Sequence, residues 1–192
     1  MPVVLLTLWS ASALFPRPFA QGAIAMSATA PSPAAFVLSS SAFKPGQPIP
    51  RRHTEDGEDL SPALAWSGAP QGVKEFALIC DDPDAPTAQP WVHWVIYRLS
   101  PDLTGLPEGV PQVAKLDKPA GAMQGLNGWP GRDNLGYRGP APPPGKVHHY
   151  YFKLYALDRP LTLAPGASKT DLLRAIDGHM LGTAELVGTY KR

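Results

Sequence analysis

Asp82, Asp84, His93, His148 and Tyr150 are the side chains whose types and spacing could do chemistry in this sequence. The two aspartates lie in the run CDDPDAPTAQPWVHWV, from Cys80 to Val95, with His93 held between Trp91 and Trp94. Fifty-two residues after Val95, Val147-His148-His149-Tyr150 opens a second aromatic stretch. Two imidazoles, a tyrosine hydroxyl and loop amides are hydrogen-bond donors suited to a phosphate or carboxylate. Neighbouring carboxylates orient imidazoles and raise their pKa, which favours the charged form, and they attract an ammonium group. The same set, Asp82, Asp84, His93 and His148, is also chemically able to ligate Zn²⁺ or Mn²⁺, the basis of a metal-dependent hydrolase. No HExxH pair or G-x-S-x-G elbow accompanies it, so neither a zincin nor a serine hydrolase is signalled. Taken singly, each residue has an ordinary explanation. A histidine in an apolar strand commonly bonds one backbone carbonyl, and aspartates beside prolines commonly make turns.

These side chains need elements to position them. The runs FVLSSSAF, ALAW (63–66), EFALIC (75–80), WVHWVIYRL (91–99), HYYFKLYAL (149–157) and AELVGTY (184–190) are short, aromatic or β-branched, and bounded by Gly, Pro or Asp, which predicts strands. Alternation puts Trp91, His93, Val95 and Tyr97 on one face of their strand, and His148, Tyr150, Phe152 and Leu154 on one face of theirs. One segment predicts a helix, about Lys169 to Ile176, with Ser168 or Thr170 as N-cap and Gly178 as its stop. Strands joined by turns rather than helices imply antiparallel pairing. The stretch from Pro119 to Gly145 has no periodicity and exceeds the roughly 12 to 15 residues usual for a loop. Trp129 and Tyr137 within it predict an ordered loop that packs back on the body.

Composition agrees with a β-rich domain. The chain has 24 prolines in 192 residues, and proline is excluded from helix interiors. With 17 basic and 16 acidic residues the formal charge is +1, which gives no footprint for nucleic acid or an anionic membrane. The single Cys80 makes no internal disulfide. Residues 1–35 read as an N-terminal extension and 36–192 as one domain. Residues 3–15 have the apolarity of a signal-peptide core and Ala23-Ile24-Ala25 a cleavage site, but no basic residue precedes them, and Arg17 is the first. Met26 as the true start is the preferred reading, with a cytoplasmic protein; a working leader would make it periplasmic or secreted. The apolar run is too short for an integral membrane span of about 20 residues.

The runs DDPDAP, WVHWVIY, GYRGPAPPPG, HHYYFKLYALD and GTAELVGTY, in this order, resemble the phosphatidylethanolamine-binding protein family, and most closely its bacterial Raf kinase inhibitor-like branch. The resemblance covers about residues 36 to 192. It implies an all-β core, a large antiparallel sheet packed on a smaller one with a few peripheral helices. It also implies a non-enzymatic anion pocket on Asp82, Asp84, Pro86, Trp91, His93, Gly139, Pro140, His148 and Tyr150. No cofactor and no metal are implied. A homodimer and a regulated protein partner, such as a kinase or protease, are carried by the resemblance alone. Three departures stand out: His149 where arginine is usual, which would weaken a salt bridge on the far face of its strand; a short Pro86–Trp91 link, which would open that rim; and the extended N-terminus.

Overall fold

A computed structural model describes residues 35–131 and 134–192, so the expectations for residues 3–15, Ala23–Ala25 and Met26 lie outside the described residues. The strands are β1 (Val37–Ser40), β2 (Leu64–Ser67), β3 (Glu75–Asp82), β4 (Trp91–Leu99), β5 (Gly105–Leu106), β6 (Met123–Gln124), β7 (His148–Leu157) and β8 (Met180–Tyr190), with helix α1 (Lys169–Ile176) before the last. They form a three-stranded sheet, β1-β2-β5, and a five-stranded sheet, β6-β4-β3-β7-β8, and every strand pairing is antiparallel.

Strand β3 is buried at every position because it is central in the larger sheet and covered on both faces. Leu78 and Cys80 join Trp94, Ile96, Phe152 and Leu186 in the main core, which takes in Leu38, Leu64 and Trp66 of the smaller sheet. Ala77 and Ile79, on the alternate face, pack with Val95, Tyr97, Leu161, Leu172 and Ile176 beneath α1. Strand β7 shows the predicted alternation, with His148, Tyr150, Phe152 and Leu154 buried and His149 exposed. Helix α1 starts at a capping box: Asp171 N–H donates to Ser168 Oγ at 3.2 Å and Ser168 N–H to Asp171 Oδ2 at 3.1 Å. Among the described residues this is the one α-helix, where a few were expected, and it is joined by a 3-10 turn at Arg51–His53.

Two local features bear on the site, one that departs from the sequence expectation and one that meets it. The first is a slip of register between β3 and β4: Cys80 pairs with Trp94 but Asp81 with Val92, leaving His93 without a partner on β3. Such a bulge re-aims side chains. His93 therefore does not share a face with Val95 and Tyr97, which belong to the core under α1; it turns toward Tyr150, with ring centroids 5.0 Å apart. The second is the stretch from Pro119 to Gly145, which carries β6 and then follows the free edge of β4. Gly125, Gly128 and Arg138 donate their N–H groups to the carbonyls of Val95, Val92 and His93 at 2.8, 2.7 and 2.9 Å. Tyr137 is buried and its hydroxyl donates to His53 O at 2.6 Å.

Candidate functional site

The site forms where β3 ends, β4 bulges and β7 begins. Asp82, the last residue of β3, directs its carboxylate toward β7. His148 Nδ1–H donates to Asp82 Oδ2 at 2.7 Å, and both side chains are buried. The other carboxylate oxygen, Oδ1, accepts from Asp84 N–H at 2.8 Å, which fixes the turn that follows. The preceding residue, Asp81, projects to the opposite side of the sheet, where Lys169 of α1 pairs with it.

His93 lies between two aromatic edges, Trp129 and Tyr150, each with its ring centroid 5.0 Å away. Its Nδ1 is 2.7 Å from the carbonyl of Arg138. A carbonyl only accepts, so Nδ1 carries the proton. Burial pushes the His93 pKa down from 6.5 to about 4, against the opposing pull of the Arg138 carbonyl, Asp82, Glu55 and the Gly139 backbone. The expectation that nearby carboxylates would charge this imidazole fails for His93, because desolvation outweighs them. Tyr150 is fully buried beneath it. The hydroxyl makes no hydrogen bond of normal geometry, and burial followed by the Asp82 carboxylate drives its pKa far upward.

A cavity of about 310 Å³ opens over these groups. Of the nine residues expected in the pocket, Asp82, Pro86, Trp91, His93 and His148 line it. Tyr150 supports it from below through the His93 ring. Gly139 and Pro140 are not in the lining, to which the following residues Ala141, Pro142 and Pro143 contribute. Gly139 donates to Asp59 Oδ1 at 2.6 Å, Pro140 O accepts from Glu55 N–H at 3.2 Å, and a Cβ at 139 would meet His53 O at 2.4 Å.

Asp84 is not in the pocket. Its carboxylate accepts from His149 N–H at 2.8 Å and from His149 Nδ1–H at 2.7 Å, on the exposed face of β7. Burial raises the Asp84 pKa, but those hydrogen bonds more than offset it and hold the carboxyl below its usual range. His149 thus has a carboxylate partner of its own on the exposed face of β7, where a weakened salt bridge was expected. Because Asp84 is turned away, the four-residue set required by the metal reading is not assembled. Among the described residues no group of three or more His, Cys, Asp or Glu side chains is placed to hold a metal ion.

Sequence reasoning missed Glu55, Ala85, Thr87, Trp129, Ala141, Pro142, Pro143 and Arg192 in the lining. Trp129 had a signal, the aromatic in an otherwise structureless run. Glu55 and Arg192 had none, since one sits in a charge-rich connection and the other is the last residue. Glu55 is held by Arg138 at 2.6 Å, and Arg138 in turn lies 5.8 Å over the Trp129 ring. Arg192 lies on the rim, its Nε at 3.0 and 2.9 Å from the two Asp56 oxygens and its Nη2 at 2.8 Å from Oδ1.

Among the described residues no helix is long and apolar enough to cross a membrane. Residues 39–191 match the family described as phosphatidylethanolamine-binding protein. A UPF0098 protein of Methanothermobacter thermautotrophicus is 54% identical over 155 residues, 81% of this chain and 98% of that protein. A crystal structure of a phosphatidylethanolamine-binding protein homologue from Chlamydia trachomatis has a TM-score of 0.71 at 41% identity, covering 82% of this chain and 98% of that one. The crystal structure of E. coli YbcL, described as a new member of the mammalian family, has a TM-score of 0.75 at 33% identity, covering 83% and 99%. Two packed antiparallel sheets, a pocket at the ends of β3, β4 and β7, and these matches across nearly the whole of each relative agree: the chain belongs to the phosphatidylethanolamine-binding protein family.

Proposed function

We propose that this protein binds, without chemical conversion, a small anionic or phosphorylated molecule in the cavity over Asp82, His93 and His148. The observation that carries this reading is the buried His148–Asp82 pair at the base of a cavity of about 310 Å³. That volume is at the small end of ligand pockets, which run from about 300 to 1,000 Å³, and suits a head group rather than a whole lipid. Asp82 holds Nδ1 of His148, so the ring offers its other nitrogen to the ligand as a positioned donor whenever it is protonated. Glu55 and Asp82 are placed to attract the ammonium end of a zwitterion such as phosphorylethanolamine, and Trp91, Trp129 and the prolines limit its size. Occupancy would signal to a protein partner such as a kinase or protease, with the chain acting as a homodimer.

The test is titration with phosphorylethanolamine, inorganic phosphate and acetate, followed by the histidine NMR shifts. His148→Ala is expected to weaken phosphorylethanolamine by about tenfold or more, the loss of a charge-assisted hydrogen bond of about 1.5 to 3 kcal/mol. An affinity unchanged in a folded His148→Ala protein overturns the reading.

A further inference from the structure

His93 enters the cavity in a particular chemical form. Its Nδ1 is committed as a donor to Arg138 O at 2.7 Å. The ring is 2% exposed and enclosed by the edges of Trp129 and Tyr150. The titratable groups around it are Asp82 on β3, His148 and the Tyr150 hydroxyl on β7, and Glu55 with its partner Arg138 from the two flanking loops. A neutral imidazole has one N–H, so Nε2, the second nitrogen of this cavity-lining ring, is a bare lone pair and an acceptor. An ionised phosphate oxygen set against it would meet two lone pairs with no proton between them.

We propose that His93 makes this pocket select phosphomonoesters, whose second P–OH ionises near neutral pH and can meet its Nε2, over phosphodiesters, whose single P–OH is already ionised there. The proposal rests on the phosphate-binding reading above and adds the class of phosphate. One proton lies between His93 and the ligand in the complex. A monoester supplies it from its own second ionisation, near pH 6. A diester has to have it placed on the buried ring, whose pKa is about 4, so at neutral pH that route is rarer by about a hundredfold before ion pairing offsets part of it. His148 and Asp82 complement this division. His148, its Nδ1–H held by Asp82, donates to the ionised oxygens when its ring carries both protons, and His93 is the acceptor for the protonated one.

The experiment compares four probes on the wild-type protein at about pH 7.5: inorganic phosphate, phosphorylethanolamine, dimethyl phosphate and glycerophosphorylethanolamine. The expected result is that both diesters bind at least about tenfold more weakly than phosphorylethanolamine. A ¹⁵N spectrum of the free protein is expected to show His93 with Nδ1 protonated and Nε2 bare. Diesters within about threefold of the monoesters, or a protonated Nε2 in the free protein, overturn the proposal while leaving phosphate binding in place. Glycerophosphorylethanolamine equal to phosphorylethanolamine, with inorganic phosphate much weaker, also overturns it, since the ammonium group would then be what meets His93. If none of the four binds, the phosphate-binding reading falls and this proposal with it.

Discussion

His93 shows how an ordinary and a functional role coexist in one side chain. Its Nδ1 does what a histidine in an apolar strand commonly does and bonds a carbonyl, while the ring still lines the cavity. Its burial makes a prediction about stability. The folded-state pKa, about 4, lies below the ordinary histidine value of 6.5, so between those values the unfolded chain binds the extra proton. The contribution is complete above about pH 6.5 and is lost as pH falls toward 4, a change of roughly 3 kcal/mol. Chemical denaturation of wild type and His93→Gln across that range checks it. The difference between the two proteins should shrink as the solution is acidified, and a difference constant with pH would show that His93 does not titrate this way. Asp84 and Asp82, two residues apart, could not be told apart from sequence, because residue type is the same and only the partner differs: His149 for one, His148 for the other.

At the scale of elements, the strongest patterns were readable directly. The alternation of β7 and the cap, stripe and stop of α1 are properties of contiguous residues, and they predict faces and ends without a partner. Ser168→Ala removes the reciprocal cap and should cost about 1 kcal/mol in chemical denaturation. Because α1 covers the face of the larger sheet away from the main core, phosphorylethanolamine affinity should stay within about twofold. A large loss of affinity would mean that the Lys169–Asp81 pair couples the helix to the pocket. The strands β5 and β6 were not legible, since two residues carry no period; each exists because a neighbouring strand has an edge to offer.

At the scale of the whole molecule, a formal charge of +1 produces little long-range field, so any charged ligand is held by local groups. The association rate for phosphorylethanolamine should therefore fall by less than about threefold between 50 and 200 mM salt. A protein making many phosphate contacts to DNA loses about 10³ to 10⁵ in affinity over that interval, and a loss of that size here would contradict the reading of the composition. The two cores divide the same way at this scale, since β3 feeds both and its two terminal aspartates serve opposite faces.

Residue order by itself determined the antiparallel β-rich domain, the single capped helix, the ordered loop before β7 and the candidacy of Asp82, His93 and His148, because each is written in neighbours a few positions apart. The tertiary structure decided which of them meet. One unpaired residue in the β3–β4 ladder turns His93 onto the pocket side, and His149 draws Asp84 off it. The fold also brings Glu55, Trp129 and Arg192 to the cavity from two separate loops and the residue that ends the sequence. Register and the convergence of distant loops depend on the balance of many contacts at once, and no short stretch of sequence carries that balance.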